Sequence, residues 1–335
     1  MSFDAPHFTV IVPVYNKADY VGTAIRSILR QSYERFELII VDDASTDGSS
    51  SIVRSFNDPR ITLRSRDKPG AGGYAARNLG ISEARGKWIC FLDADDEWNA
   101  DRLENTYKMT IARPSCRLFS CNWLVEGSTV PFLNESFFEG RAEKVLNPNS
   151  YLLACINGQR PVNTNVITVH RSLLSDSQLF PSGETERTGD VITWLKLILR
   201  SGELVTGAFI GAKRNLTTGT RVSQANKPNP RYFAVSLDLA TRVDANQVDQ
   251  ALLEKYLSRL YSYTLKEADF LGAFSEGMLR HLSFRRDPWH SCKTVLYASF
   301  PTSIATYLKH VKRSWLRRYG PHSGKAAPGV PRDSS

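Results

Sequence analysis

Lys87–Trp98 reads KWICFLDADDEW: an apolar run with the character of a buried strand, delivering Asp93, Asp95 and Asp96 together at its carboxyl end. Three carboxylates within four residues repel one another, so a positive partner is expected among them. Neither His nor Cys is interleaved, and an all-oxygen set suits a hard divalent ion such as Mg²⁺ or Mn²⁺. The plainer alternative is an acidic turn capping the helix that follows.

The residues before this stretch favour the first reading. Phe8–Tyr15 (FTVIVPVY) is an almost unbroken apolar run, the pattern of a strand covered on both faces. Val21, Ala24, Ile25, Ile28 and Leu29 then fall on one face of a helix. Leu38–Val41 reads as a second strand ending in Asp42 and Asp43, and Ser45–Gly48 as cap chemistry for a short helix containing Ile52, Val53 and Phe56. Ile61–Arg64 is a third strand, Lys68–Gly73 a turn, Tyr74–Ala84 a helix with Gly86 as its C-cap, and Lys87–Leu92 the fourth strand. Strand–helix alternation with short connections predicts right-handed βαβ units in a doubly wound, mainly parallel sheet flanked by helices. Ligands of such a sheet sit beyond the carboxyl ends of its strands. Tyr15 and Asn16, Asp42 and Asp43, and the Asp93–Asp96 cluster all follow strands and are expected to meet there.

Further on, a helix is predicted over Asp101–Met109, a strand over Leu118–Val125, loop-like chain over 126–150, and a strand over Val166–His170. A helix follows over Val191–Arg200 with Asp190 at its start, then one or two helices between Val248 and Leu282. Ile304, Tyr307, Leu308, Val311 and Trp315 recur at helical spacing among Lys309, Lys312, Arg313, Arg317 and Arg318, a basic amphipathic helix. It either lies in the headgroup layer of an anionic membrane or packs its stripe on the protein.

The 335 residues are 41% hydrophobic, enough for a substantial core, and the formal net charge is +9. From Arg280 onward eleven basic residues stand against Asp287 and Asp333, so the excess lies wholly at the C-terminal end. A nucleic-acid binder would spread basic residues over its folded face, and no nucleic acid is expected. The five cysteines form no C-x-x-C pair, which argues against a disulfide framework or a structural zinc site. MSFDAPHF has no basic region followed by a long apolar one, and no run approaches the roughly 18 apolar residues of a spanning helix. The expected location is the cytoplasm, with a peripheral position at the inner membrane face as the alternative.

Taken in order, FTVIVPVYNKADYV, ELIIVDDASTDGS, GGYAARNLGISEARGKWICFLDADD and TGDVITWLKL resemble glycosyltransferase family 2. The resemblance is strong over about residues 8–110 and looser to about 225. It implies a GT-A fold with a C-terminal helical extension. Residues 1–110 would be the nucleotide-sugar-binding half, 111–225 the acceptor-binding and catalytic half, 226–320 a helical region and 321–335 a disordered tail. It further implies metal-dependent, inverting transfer of a sugar from a nucleoside-diphosphate donor, a UDP-sugar being favoured, to a glycan or lipid-linked acceptor in surface polysaccharide or glycoconjugate synthesis. By the same resemblance Pro13, Tyr15, Asp42, Asp43, Arg77, Asn78 and Asp93 would hold the nucleotide, and Asp95 and Asp96 the metal. Asp190 would be the general base, although Gly189 stands where the family carries an acid. Arg221, in Thr217–Gln224, would contact diphosphate or acceptor, and His170–Arg171 would line the acceptor pocket.

Two other classes remain open on the residues alone. Gly70–Ala75 satisfies G-x-G-x-x-A, the fingerprint of a nicotinamide-dependent oxidoreductase, but it follows the third strand where that fingerprint belongs after the first. A non-catalytic nucleotide- or carbohydrate-binding protein would need the pocket without the base.

Overall fold

A computed structural model describes residues 5–174, 179–216 and 248–267. Its strands are β1 (Phe8–Val14), β2 (Phe36–Asp42), β3 (Ile61–Ser65), β4 (Trp88–Phe91), β5 (Glu97–Trp98), β6 (Leu118–Val125), β7 (Glu143–Leu146), β8 (Thr168–His170) and β9 (Leu204–Arg214). The helices are α1 (Ala18–Leu29), α2 (Ser49–Arg54), α3 (Tyr74–Glu83), α4 (Arg102–Ala112), α5 (Glu135–Phe138), α6 (Pro148–Ile156), α7 (Gly189–Ser201) and α8 (Gln250–Glu267). Thr217–Gln224 with Arg221, the basic stretch Ile304–Arg318 and the tail 321–335 lie outside the described residues.

All nine strands join one sheet in the order β3-β2-β1-β4-β8-β6-β9-β5, with β7 on β9. The half β3-β2-β1-β4 is wholly parallel, as the alternation predicts. Beyond β4 the sheet is mixed, which the sequence reading did not anticipate: β8 runs antiparallel to both β4 and β6, and β9 parallel to β6. Two reversals restore direction, so the carboxyl ends of β1, β2, β4, β6 and β9 open on one rim. The segment entering β8 meets them there.

Residues 8–12, 36–41 and 88–92 are buried almost without interruption, as strands covered on both faces must be. The predicted stripe of α1 is buried except for Leu29, which is partly covered. The start of α1 is capped from the neighbouring loop: Ser49 Oγ accepts from Lys17 N at 2.9 Å and Asp47 Oδ2 from Ala18 N at 2.9 Å. Asp47 also accepts from Ser49 N through Oδ1 at 3.0 Å, while the N-cap of α2 is Gly48, at φ 87°. One carboxylate thus satisfies orphan donors at two helix starts.

Several expectations are corrected. Gly86 is not the C-cap of α3; that is Ala84. A Cβ on Gly86 would lie 2.5 Å from the backbone N of Thr9, so the glycine is there for a close approach to β1. The stretch 126–150 holds α5, β7 and the start of α6. Leu204–Arg214, read as no element, is the longest strand and pairs with β5, β6 and β7. Its Gly207 and Gly211 look like breakers, yet a Cβ on Gly211 would meet Cys121 Sγ at 2.4 Å, and one on Gly207 the Phe209 ring at 2.6 Å. Among the described residues no helix is long and apolar enough to cross a membrane.

Candidate active site

The loops after β1 and β2 are stitched together at the rim. Asn16 Oδ1 accepts from Thr46 N at 2.8 Å, and Ser45 Oγ accepts from Asn16 N at 3.1 Å. Asn16 and Ala44 both hold left-handed backbone, φ 50° and 61°, a conformation that side chains bearing a Cβ adopt only where surroundings impose it. Asp42 is buried, and its Oδ1 accepts from Ser45 N at 3.1 Å, so it shapes the turn from inside. Asp43 is 1% exposed; its carboxylate takes Arg66 on one oxygen and Gly70 N on the other at 2.9 Å, anchoring the glycine-rich turn. Tyr15, the residue after β1, is 47% exposed, so its ring is not core packing. Pro13 is partly buried, and its ring atoms lie where a Cβ on Gly73 would come within 3.3 Å.

Arg77, on α3, is the pivot of the site. The residue is 6% exposed, and its guanidinium donates to Gly72 O at 2.7 Å and to Asp93 Oδ1 at 2.5 Å and lies 5.5 Å from the Phe180 ring centre. Its Nε has no partner among the described residues. Asn78 is put to another use than nucleotide contact: its amide donates to Phe180 O and accepts from Phe180 N, both at 2.9 Å, which ties the 180s segment to α3.

The three carboxylates after β4 diverge in role. Asp93 faces outward and its backbone N donates to Asn165 Oδ1 at 2.8 Å. Asp95 Oδ2 accepts from Lys17 Nζ at 2.7 Å. Asp96 turns inward, 3% exposed, with Asn165 Nδ2 on Oδ2 at 2.6 Å and Asn215 N on Oδ1 at 2.7 Å. Burial first, then the charges of Asp93 and Asp95, push its carboxyl up to about 8 against those hydrogen bonds. Asp96, read from the sequence as a second metal ligand, is thus held inward with both carboxylate oxygens engaged. Among the described residues no group of three or more acidic, His or Cys side chains stands ready as a cage.

The donors present still suit a hard cation. Asp93 and Asp95 offer oxygen ligands at the rim, and an ion with few protein ligands completes its shell with phosphate oxygens and water.

Asp190 lies in the first turn of α7, behind Thr188, another left-handed non-glycine residue at φ 62°. Thr164 Oγ1 donates to Asp190 Oδ2 at 3.3 Å, and Tyr74 Oη accepts from Gly189 N at 2.9 Å. Burial raises the Asp190 carboxyl above the ordinary carboxylate range and Asp93 adds to this, whereas Arg77 pulls it back.

His170 and Arg171 do not belong here. His170 pairs with Trp88 at the far end of β4 and packs on its ring, and Arg171 donates to Gly86 O at 3.0 Å and to Ala84 O. Sequence reasoning missed Lys17, Arg66, Thr164, Asn165 and Asn215. Lys17 stood inside the quoted PVYNKAD turn; Asn215 was hidden because its strand was not recognised.

Comparison with known proteins agrees with this geometry. Residues 9–126 match the model of Glycosyl transferase family 2. Over 113 residues the chain is 39% identical to a putative teichuronic acid biosynthesis glycosyltransferase TuaG of Bacillus subtilis, covering 33% of this chain and 44% of that one. Over 99 residues it is 44% identical to the succinoglycan biosynthesis protein ExoO of Rhizobium meliloti, covering 29% and 28%. The matched stretch thus spans less than half of these relatives.

Among solved structures, S. aureus TarS 1-349 in complex with UDP-GlcNAc superposes with a TM-score of 0.69 at 19% identity, over 92% of this chain and 91% of that one. A mannosyltransferase from Pyrobaculum calidifontis, in complex with GDP-Man and Mn²⁺, gives 0.56 at 20% identity, over 96% and 89%. These likenesses establish the GT-A fold.

Proposed function

With residues 9–126 belonging to glycosyl transferase family 2, we propose that the chain transfers a sugar from a nucleoside-diphosphate donor to an acceptor hydroxyl, with inversion. The observation that carries this reading is the pair Thr164–Asn165, which joins the acidic loop to the start of α7: Asn165 accepts from Asp93 N and donates to Asp96, and Thr164 donates to Asp190.

In this reading the donor lies across the β1–β2 side of the rim. The exposed Tyr15 ring faces the base, while Asp43 and Arg66 offer an acceptor beside a donor, matching a ring N–H flanked by a carbonyl as in uracil or guanine. A divalent ion held by Asp95 with Asp93 would neutralise charge on the departing diphosphate. Lys17, bonded to Asp95, and Arg77, bonded to Asp93, supply positive charge beside the same position. Asp190 takes the proton of the acceptor hydroxyl as the new C–O bond forms at the anomeric carbon. The bond to the diphosphate oxygen breaks with its electron pair, so no side chain need protonate the leaving group.

The named relatives' roles in teichuronic acid and succinoglycan biosynthesis support a polysaccharide or other glycoconjugate as acceptor. The neighbours' UDP-GlcNAc and GDP-Man complexes support a nucleotide sugar as donor, and the Mn²⁺ complex supports divalent-ion use. The test is donor cleavage measured on a panel of UDP- and GDP-sugars with Mn²⁺. Slow hydrolysis of one donor, lost in Asp190→Asn, is expected, whereas a panel left wholly intact would reject the reading.

A further inference from the structure

At the rim Asp43 pairs with Arg66, Asp93 with Arg77 and Asp95 with Lys17. The partnerships differ in how readily they can be undone. Arg77 is buried, tied to Gly72 O as well as to Asp93, and lies against the Phe180 ring. Arg66 serves Asp43, whose carboxylate also carries the Gly70 amide. Lys17 is different in kind. Its backbone is pinned by Ser49 Oγ at 2.9 Å, but its charge is a compact ammonium on a four-carbon stem that reaches across to Asp95 Oδ2 at 2.7 Å. An ammonium has freely rotating donors and no planar fork to hold it in one geometry, so it exchanges partners more easily than a guanidinium.

We infer that Lys17 is an exchangeable counter-ion: with no donor bound, its ammonium occupies the cation seat on Asp95, and a divalent ion arriving with the nucleotide displaces it toward the diphosphate. This rests on the reading of Asp95 as a metal-holding residue. An ammonium on Asp95 repels a divalent ion approaching the same carboxylate, so the ion binding alone must compete with it. When a diphosphate is present the displaced ammonium finds phosphate oxygens within reach of the same stem. Metal and nucleotide then strengthen each other's binding, and the coupling runs through one side chain.

The test is the Mn²⁺ dissociation constant, read from the electron paramagnetic resonance signal of free ion, without nucleotide and with UDP or GDP. It is measured for the wild-type chain, Lys17→Met and Lys17→Gln, each verified as folded by its melting curve. Nucleotide-free Lys17→Met should bind Mn²⁺ more tightly by up to roughly fivefold, the scale of one partly exposed ion pair, and should lose most of the gain that UDP or GDP confers. Lys17→Gln should behave alike, since it too removes the charge. Unchanged or weaker nucleotide-free affinity in the folded variants would overturn the inference while leaving the metal reading intact. A wild-type chain that binds no Mn²⁺ even with UDP or GDP would overturn both.

Discussion

At the scale of single residues, Arg77 is bonded to Asp93 and its charge lowers the raised Asp190 carboxyl. In the proposed reaction Asp190 must be ionised to accept a proton, and its carboxyl is raised by burial and by Asp93, so the acid limb of kcat/KM should lie above the ordinary carboxylate range. Removing the guanidinium removes the contribution that lowers it. In Arg77→Met the acid limb should therefore move to still higher pH, read from a kcat/KM profile; a limb that stays in place would mean Arg77 acts only as a brace. Asp190→Asn keeps the shape and loses the base, so kcat should fall by roughly 10²–10⁴-fold with nucleotide affinity preserved, as measured by calorimetry.

At the scale of elements, the rim depends on contacts that leave no room for one more carbon. Gly211→Ala would drive a methyl into Cys121 Sγ, separating β9 from β6, and should cost about 1–3 kcal/mol in chemical denaturation. Because β9 leads directly into Asn215, which donates to Asp96 and to Asp95 O, the same substitution should also loosen the acidic loop. Asp47→Ala strips a cap from both α1 and α2 and should cost about 1–2 kcal/mol by the same measurement.

These elements also mark what could be read from residues alone. Strands β1, β2, β3, β4 and β6 and the helices between them followed from apolar runs, stripes and turn residues, since local pattern and burial agree there. The sequence also put Asp43, Asp93 and Asp95 at strand ends on one side of the sheet, and Asp190 at a helix start. β9 escaped because Gly207 and Gly211 imitate loop signals, although they are glycine for reasons of packing against Phe209, Met109, Cys121 and Arg102. The reversal at β8 escaped because strand direction is decided by tertiary pairing rather than by pattern. Asn147 and Pro148, the cap and first residue of α6, did carry a local signal: Asn147 Oδ1 accepts from Ser150 N at 2.9 Å. Pairings such as Lys17 with Asp95 span 78 residues, and no spacing rule announces them.

At the scale of the whole molecule, stability should depend on pH through a residue far from the rim. His7 sits at the start of β1 among Phe8, Tyr33 and Tyr107, its ring 4.9, 5.9 and 5.0 Å from theirs. Burial first, then Lys87 and Arg35, lower it from 6.5 to about 4. Between these values the unfolded chain binds a proton that the folded one refuses. The contribution is therefore whole above pH 6.5 and lost as pH falls toward 4, by about 1–3 kcal/mol. His7→Phe should flatten that part of the stability curve, and an unaltered slope would point to other groups.

The central claim is that one rim divides its labour, with Asp95 holding the cation that grips the diphosphate and Asp190 moving the proton. The most direct measurement is calorimetric binding of UDP and GDP, each with and without Mn²⁺, to the wild-type chain, Asp95→Ala and Asp190→Asn. We predict a Mn²⁺-dependent gain in affinity for one nucleotide that survives in Asp190→Asn and disappears in Asp95→Ala. An equal Mn²⁺-dependent gain in Asp95→Ala and the wild-type chain would contradict the account.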